Sequence, residues 1–124
     1  MNYEAHKKEQ KALTDKLDVD YCESRLKFKV GFAVEMFKSA QKFPIHALRH
    51  PINGDTTGWY IWVGEYSDGA DFFVPVHVEH LIERCPKIIK YLGLPLGYRV
   101  LIGEDGYEDI WEDKSLLLSS QISS

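Results

Sequence analysis

The segment Gly58-Trp59-Tyr60-Ile61-Trp62-Val63-Gly64 constrains the fold more than any other, because it is apolar on both sides of an extended chain. Side chains alternate across a strand, so Trp59 and Ile61 share one face while Tyr60 and Trp62 share the other. Such a strand belongs in the middle of a sheet, covered on both faces or covered on one and functional on the other. One of the two pairs is therefore a candidate for a surface that meets a partner.

The flanking periodicities supply the rest of the sheet. Leu26 to Phe32 sets apolar residues against Lys27 and Lys29 in the alternation of a half-buried strand. Ile45 to Arg49 reads as a short strand between Pro44 and Pro51, followed by a turn-forming loop up to Gly58. Tyr98 to Ile102, a Gly103-Glu104-Asp105-Gly106 turn and Tyr107 to Trp111 read as a hairpin. Phe32–Lys42 reads either as a continuation of the Leu26 to Phe32 strand or as a short helix, and the helical spacing of Ala33, Met36, Phe37 and Ala40 favours the helix. Helical spacing recurs from Pro75 to Arg84, where Val78, Leu81, Ile82 and Cys85 share a face and Pro75 suits a first turn. Pro86 opens a further short helix bearing Ile88, Ile89 and Leu92, closed by Gly93.

Helices in blocks, rather than in strict alternation with strands, predict an α+β fold: a mainly antiparallel sheet of four to five strands with helices packed on one face. A length of 124 residues suits one domain. That domain is expected over residues 1–118. Residues 1–24 form a peripheral helical segment whose apolar stripe is only Tyr3, Ala12, Leu13 and Leu17, and the Ser-rich tail 119–124 is expected to be disordered.

Charge narrows the partners. The net charge is −4, but residues 1–64 hold ten Lys and Arg against eight acids, whereas residues 65–113 hold four against eleven. Between Gly103 and Asp113 stand six acids and no basic residue. That segment repels phosphate backbones, which argues against nucleic acid, and it suits a basic protein. Cys22 and Cys85 lack metal or redox spacing and read as free thiols. The charged N-terminus is not a signal peptide, and no apolar run approaches the roughly 18 residues of a membrane span. A cytoplasmic protein away from membranes is expected.

Motifs for covalent or phosphate chemistry are missing: the sequence has no G-x-S-x-G elbow, no phosphate loop and no G-x-G-x-x-G. Adjacent carboxylates such as Glu108-Asp109 and Glu112-Asp113 point to opposite faces of a strand and do not converge on one pocket. His77, His80 and Glu83 lie at successive steps of three, which drift by about 60 degrees around a helix and depart from the spacing of helical zinc sites. They support a rival reading, a small metal- or ligand-binding enzyme using His77 and His80. A third reading is a structural or regulatory interaction module. The leading one assigns no catalytic residue, cofactor or metal.

The strongest remaining signal is aromatic. Tryptophan and tyrosine anchor protein interfaces, and here they cluster in two segments that also hold much of the acid. The first supplies Trp62, Glu65, Tyr66, Asp68 and Asp71 as candidate partner-binding residues; the second supplies Tyr107, Glu108, Asp109, Trp111 and Glu112.

Beyond composition, several stretches carry a family likeness: Leu48-Arg49-His50-Pro51, the Gly58–Glu65 strand, Asp71-Phe72-Phe73-Val74-Pro75-Val76-His77-Val78-Glu79-His80-Leu81, Tyr91-Leu92-Gly93-Leu94-Pro95 and Gly106-Tyr107-Glu108-Asp109-Ile110-Trp111. Together, from about Lys27 to Leu117, they resemble a small bacterial family classed among immunity proteins of polymorphic-toxin systems. The resemblance implies a cytoplasmic, antitoxin-like protein that binds and blocks a cognate toxin domain without cofactor or catalysis.

Overall fold

Alternation resolves into one mixed, six-stranded sheet among the described residues of the computed structural model, which are 3–33, 43–67, 69 and 71–118. The chain runs α1 (Tyr3–Leu17), β1 (Lys29–Ala33), β2 (Ile45–Arg49), β3 (Thr56–Val63), β4 (Phe73–His77) and α2 (Val78–Arg84). It continues through the 3-10 turn η1 (Pro86–Tyr91), β5 (Tyr98–Ile102), the turn η2 (Glu104–Gly106), β6 (Glu108–Glu112) and α3 (Ser115–Leu118). The spatial order is β4-β1-β3-β2-β5-β6. Only β1 and β3 are parallel; every other neighbouring pair is antiparallel.

The sixth strand corrects the sequence reading. Phe73–His77 is extended and pairs with β1, whereas the spacing predicted a helix from Pro75. Val78 donates to the Phe28 carbonyl at 2.9 Å, which makes Phe28 and Val78 a hydrogen-bonded pair. Alternation along the antiparallel ladder then turns Pro75 away from β1, so the missing N–H costs no ladder bond. The helix starts only at Val78. Phe32 and Ala33 end β1, which is the strand continuation and not the helix that the spacing favoured. Residues 34–42 and the tail 119–124 lie outside the described residues.

One sheet face carries Val30, Phe32, Ile45, Ala47, Trp59 and Ile61 against Val78, Leu81, Ile88, Ile89 and Leu92 of the helical layer. α1 belongs to that layer despite its thin apolar stripe, because its buried residues are Gln10 and Thr14. Gln10 donates to the Ile89 carbonyl at 2.9 Å and accepts from the Tyr21 hydroxyl at 3.1 Å. The opposite face gathers Ala33, Leu48, Trp62 and Leu116 of α3, with Tyr60, Phe72 and Phe73 packed against them.

Arg49 joins these parts. Its side chain is wholly buried, and its guanidinium donates to five backbone carbonyls: Thr57 at 2.9 Å, Cys22 and Leu94 at 2.8 Å, and Leu92 and Glu23 at 3.3 Å. The Leu92 carbonyl also accepts from Trp59 Nε1 at 3.2 Å and Ser24 Oγ at 2.6 Å. Gly58 admits this arrangement: with φ at +91°, a Cβ there would fall 1.9 Å from the His50 carbonyl oxygen. Among the described residues, no helix is long and apolar enough to cross a membrane.

Replacing Arg49 with methionine keeps the bulk and orphans buried carbonyls. Urea unfolding should show a loss of roughly 3–5 kcal/mol, as for removal of one partner from a buried charged network. Arg49→Lys should recover less than half of that, because an ammonium cannot fork to acceptors on three segments.

Candidate partner-binding surface

Register decides which candidate residues can act together. Ile45 lies opposite both Val63 and Ile102, and Ile102 opposite Glu108. The loop leaving β3 and the turn joining β5 to β6 therefore emerge at the same end of the sheet. Glu65, Tyr66 and Asp71 stand on the first, and Glu104, Asp105 and Tyr107 on the second. Asp68 lies outside the described residues.

The same registers sort the faces. Trp62 lies opposite His46, which lies opposite Leu101, which lies opposite Asp109. Tyr60, Leu48, Arg99 and Trp111 form the adjacent row. Trp62, Asp109 and Trp111 thus share the face away from the helical layer. Glu108, Ile110 and Glu112 point to the helical side of the edge strand. β6 is three strand spacings from β3, roughly 14 Å, so one partner surface of ordinary size could span both segments.

Trp62 is only 6% exposed. Its indole stacks on His46 at 5.0 Å between ring centres and meets Tyr66 at 5.3 Å, with Phe73 at 6.2 Å. Phe72 and Phe73 complete the cluster beneath Tyr66. Trp62 therefore acts as a support for Tyr66 rather than as an offered surface. Gly31 makes room for the adjacent Tyr60, since a Cβ would lie 2.5 Å from that ring. Three aromatics are exposed among the described residues: Tyr66 at 58%, Tyr107 at 56% and Trp111 at 40%. All three belong to the segments singled out by sequence.

Acid is not equally available. Asp113 is held by Arg99 Nε at 2.7 Å and accepts from the Ser115 hydroxyl at 2.6 Å; these bonds, Ser115 first, hold its carboxyl below the usual range. Glu108 pairs with Lys90 at 3.7 Å and accepts from the Tyr91 hydroxyl, whose pKa burial and that carboxylate push up. Glu104, Asp105, Asp109 and Glu112, together with Glu65 and Asp71, have no ion-pair partner among the described residues. In the basic first half of the chain, three lysines are paired with acids, in Lys7–Glu23, Lys27–Glu79 and Lys29–Asp55.

The rival metal site fares differently. His77 ends β4 and His80 is in α2, with ring centres 5.9 Å apart. Among the described residues, no group of three or more His, Cys, Asp or Glu side chains is placed to hold a metal ion. Sequence reasoning missed Arg49 and the supporting role of His46. A histidine alternating with buried Ile45 and Ala47 was the available signal for the latter.

The acidic, aromatic-bearing segments are carried by a mixed sheet whose other face packs against helices. Residues 9–113 match the family model of the Imm33-like domain, and the chain belongs to that family, an immunity-protein family by name. No curated protein and no solved structure matches it.

Burial, and secondarily the charge of Arg99, holds the His46 pKa below its ordinary 6.5. The folded state favours the neutral ring, so this contribution is full above pH 6.5 and is lost as pH falls through that value and below. Urea unfolding at pH 7.5 and 5.5 should show lower stability at the acid pH, with a smaller drop in His46→Phe, which keeps an aromatic ring on Trp62.

Proposed function

We propose that this chain is an immunity protein that binds a cognate bacterial toxin domain and blocks it stoichiometrically, without catalysis or cofactor. The observation that carries this reading is the coincidence of the exposed aromatics Tyr66, Tyr107 and Trp111 with carboxylates that have no ion-pair partner among the described residues, on the loop leaving β3 and along the β5–β6 hairpin of one sheet. Membership of the Imm33-like family supports it. Tyrosine and tryptophan offer large apolar area with few rotatable bonds, which makes them effective anchors. Unpaired carboxylates add steering, and they select a partner whose contact surface is basic.

Roles divide accordingly. Tyr66, Tyr107 and Trp111 are the anchors, with Trp62 holding Tyr66 from beneath. Glu65, Asp71, Asp109 and Glu112 supply the field. Glu108 contributes less, being engaged by Lys90 and Tyr91. Obstruction needs only that the toxin's working face be the one covered.

Binding of the purified chain to the toxin domain encoded beside its gene is the test. Trp111→Ala and Tyr66→Ala should each weaken binding by about 2 kcal/mol or more, some 30-fold. Asp109→Lys should slow association and flatten its salt dependence. Unchanged affinity at low salt in all three would remove this surface, and no binding by the native chain would remove the function.

A further inference from the structure

The sheet ends in two edges that are built differently. Within the β5–β6 hairpin, Gly103 donates to the Tyr107 carbonyl at 2.9 Å, and at the far end Asp113 donates to the Gly97 carbonyl at 2.7 Å. Both bonds set the same phase of the antiparallel ladder. Counting in steps of two, Asp109 and Trp111 turn their backbone groups towards β5, while Glu108, Ile110 and Glu112 turn theirs outward. No neighbour among the described residues takes those outward groups, and four of the five residues of β6 are exposed. At β4 the same reasoning turns Phe73, Pro75 and His77 outward, and there proline removes the middle donor. One edge is closed to pairing at its centre; the other keeps every donor.

The geometry points to β6 as the docking edge for an extended, basic segment of a partner protein, which adds to the sheet as a seventh strand. An added strand presents side chains to both faces of the sheet. On one face they would lie beside Asp109 and Trp111, and on the other beside Glu108, Ile110 and Glu112. Lysine or arginine on either side of the incoming strand meets a carboxylate, and an apolar residue meets Trp111 or Ile110.

Charge also selects against a second copy of this chain. Two β6 strands paired antiparallel about Ile110 would set Glu108 of each opposite Glu112 of the other, and like charges directly across a ladder repel. The acids that deter self-pairing are those that attract a cationic strand. This inference rests on the immunity reading and specifies how the partner is held: main-chain hydrogen bonds give the affinity and alternate side chains the selection.

The decisive variant is Glu112→Pro, which removes an outward donor without touching the bonds to β5, compared with Glu112→Ala, which removes only the charge. With the toxin domain encoded beside the gene as probe, Glu112→Pro should bind at least about tenfold more weakly than Glu112→Ala, since a partner carbonyl loses its donor. Urea unfolding of both variants checks that the hairpin survives. Independently, hydrogen exchange of the native chain should show the amides of Glu108, Ile110 and Glu112 exchanging freely alone and protected in the complex. Equal binding by the two variants, or unchanged exchange at those amides in a complex that does form, overturns strand addition while leaving the immunity function standing. Failure of the native chain to bind removes both. A concentration-dependent dimer of the native chain that Glu112→Pro abolishes would make the occupant a second copy and overturn the basic-partner assignment.

Discussion

A guanidinium without a carboxylate partner organises this molecule. Arg49 sits wholly inside, and its ordinary pKa is lowered by burial, yet its donors are met by carbonyls of Cys22, Glu23, Thr57, Leu92 and Leu94. Taking a cation out of water is tolerable only where its hydrogen bonds are fully replaced. Replacing them from three chain segments at once fixes those segments to one another. The linker after α1, the start of β3 and the turn after η1 can move only together. Trp59 seals the site, with the guanidinium 5.5 Å from its ring centre and its own N–H on the Leu92 carbonyl.

This weld lies on the helical side, and it determines what the other side can be. Once Trp59 and Ile61 commit one face of β3 to the core, Tyr60 and Trp62 are delivered to the other, where they meet aromatic rings instead of helices. Rings pack edge to face with little rotamer freedom, so Trp62, Phe72 and Phe73 hold Tyr66 from below. A rigid, amphipathic surface of this kind loses little entropy when a partner covers it.

Much of this was legible in the sequence, for identifiable reasons. The unbroken apolar run Trp59–Val63 and the turn between Tyr98–Ile102 and Tyr107–Trp111 left little choice of element, and the two faces of β3 followed directly. Phe73–His77 was misread because proline is compatible with both a helix's first turn and a sheet edge, and only the pairing with β1 separates them. Arg49 stood in a family-like stretch, but its structural role carried no signal, since its acceptors are main-chain carbonyls from 8 to 45 residues away, and any residue supplies a carbonyl. Trp62 shows a further limit: alternation assigns a face, but what covers the face is a tertiary matter. Counting acids likewise overstated the free charge, because Arg99 and Lys90 each claim one.

The cost of the acidic end bears on why it persists. Glu104, Asp105, Asp109 and Glu112 share one hairpin without ion-pair partners among the described residues, and like charges so placed repel, most of all at low salt. Solubility alone would be served as well by acids spread over the surface and interleaved with lysines, which is how the first half of the chain is arranged. On the proposed function, concentrating them beside exposed tyrosine and tryptophan prepares the surface for an opposite field that relieves the repulsion. The interior secured by Arg49 lets the free protein tolerate that repulsion, which a basic partner of the proposed kind would relieve. In that reading stability and binding are coupled through the same four carboxylates: what opposes folding of the chain alone favours the proposed complex.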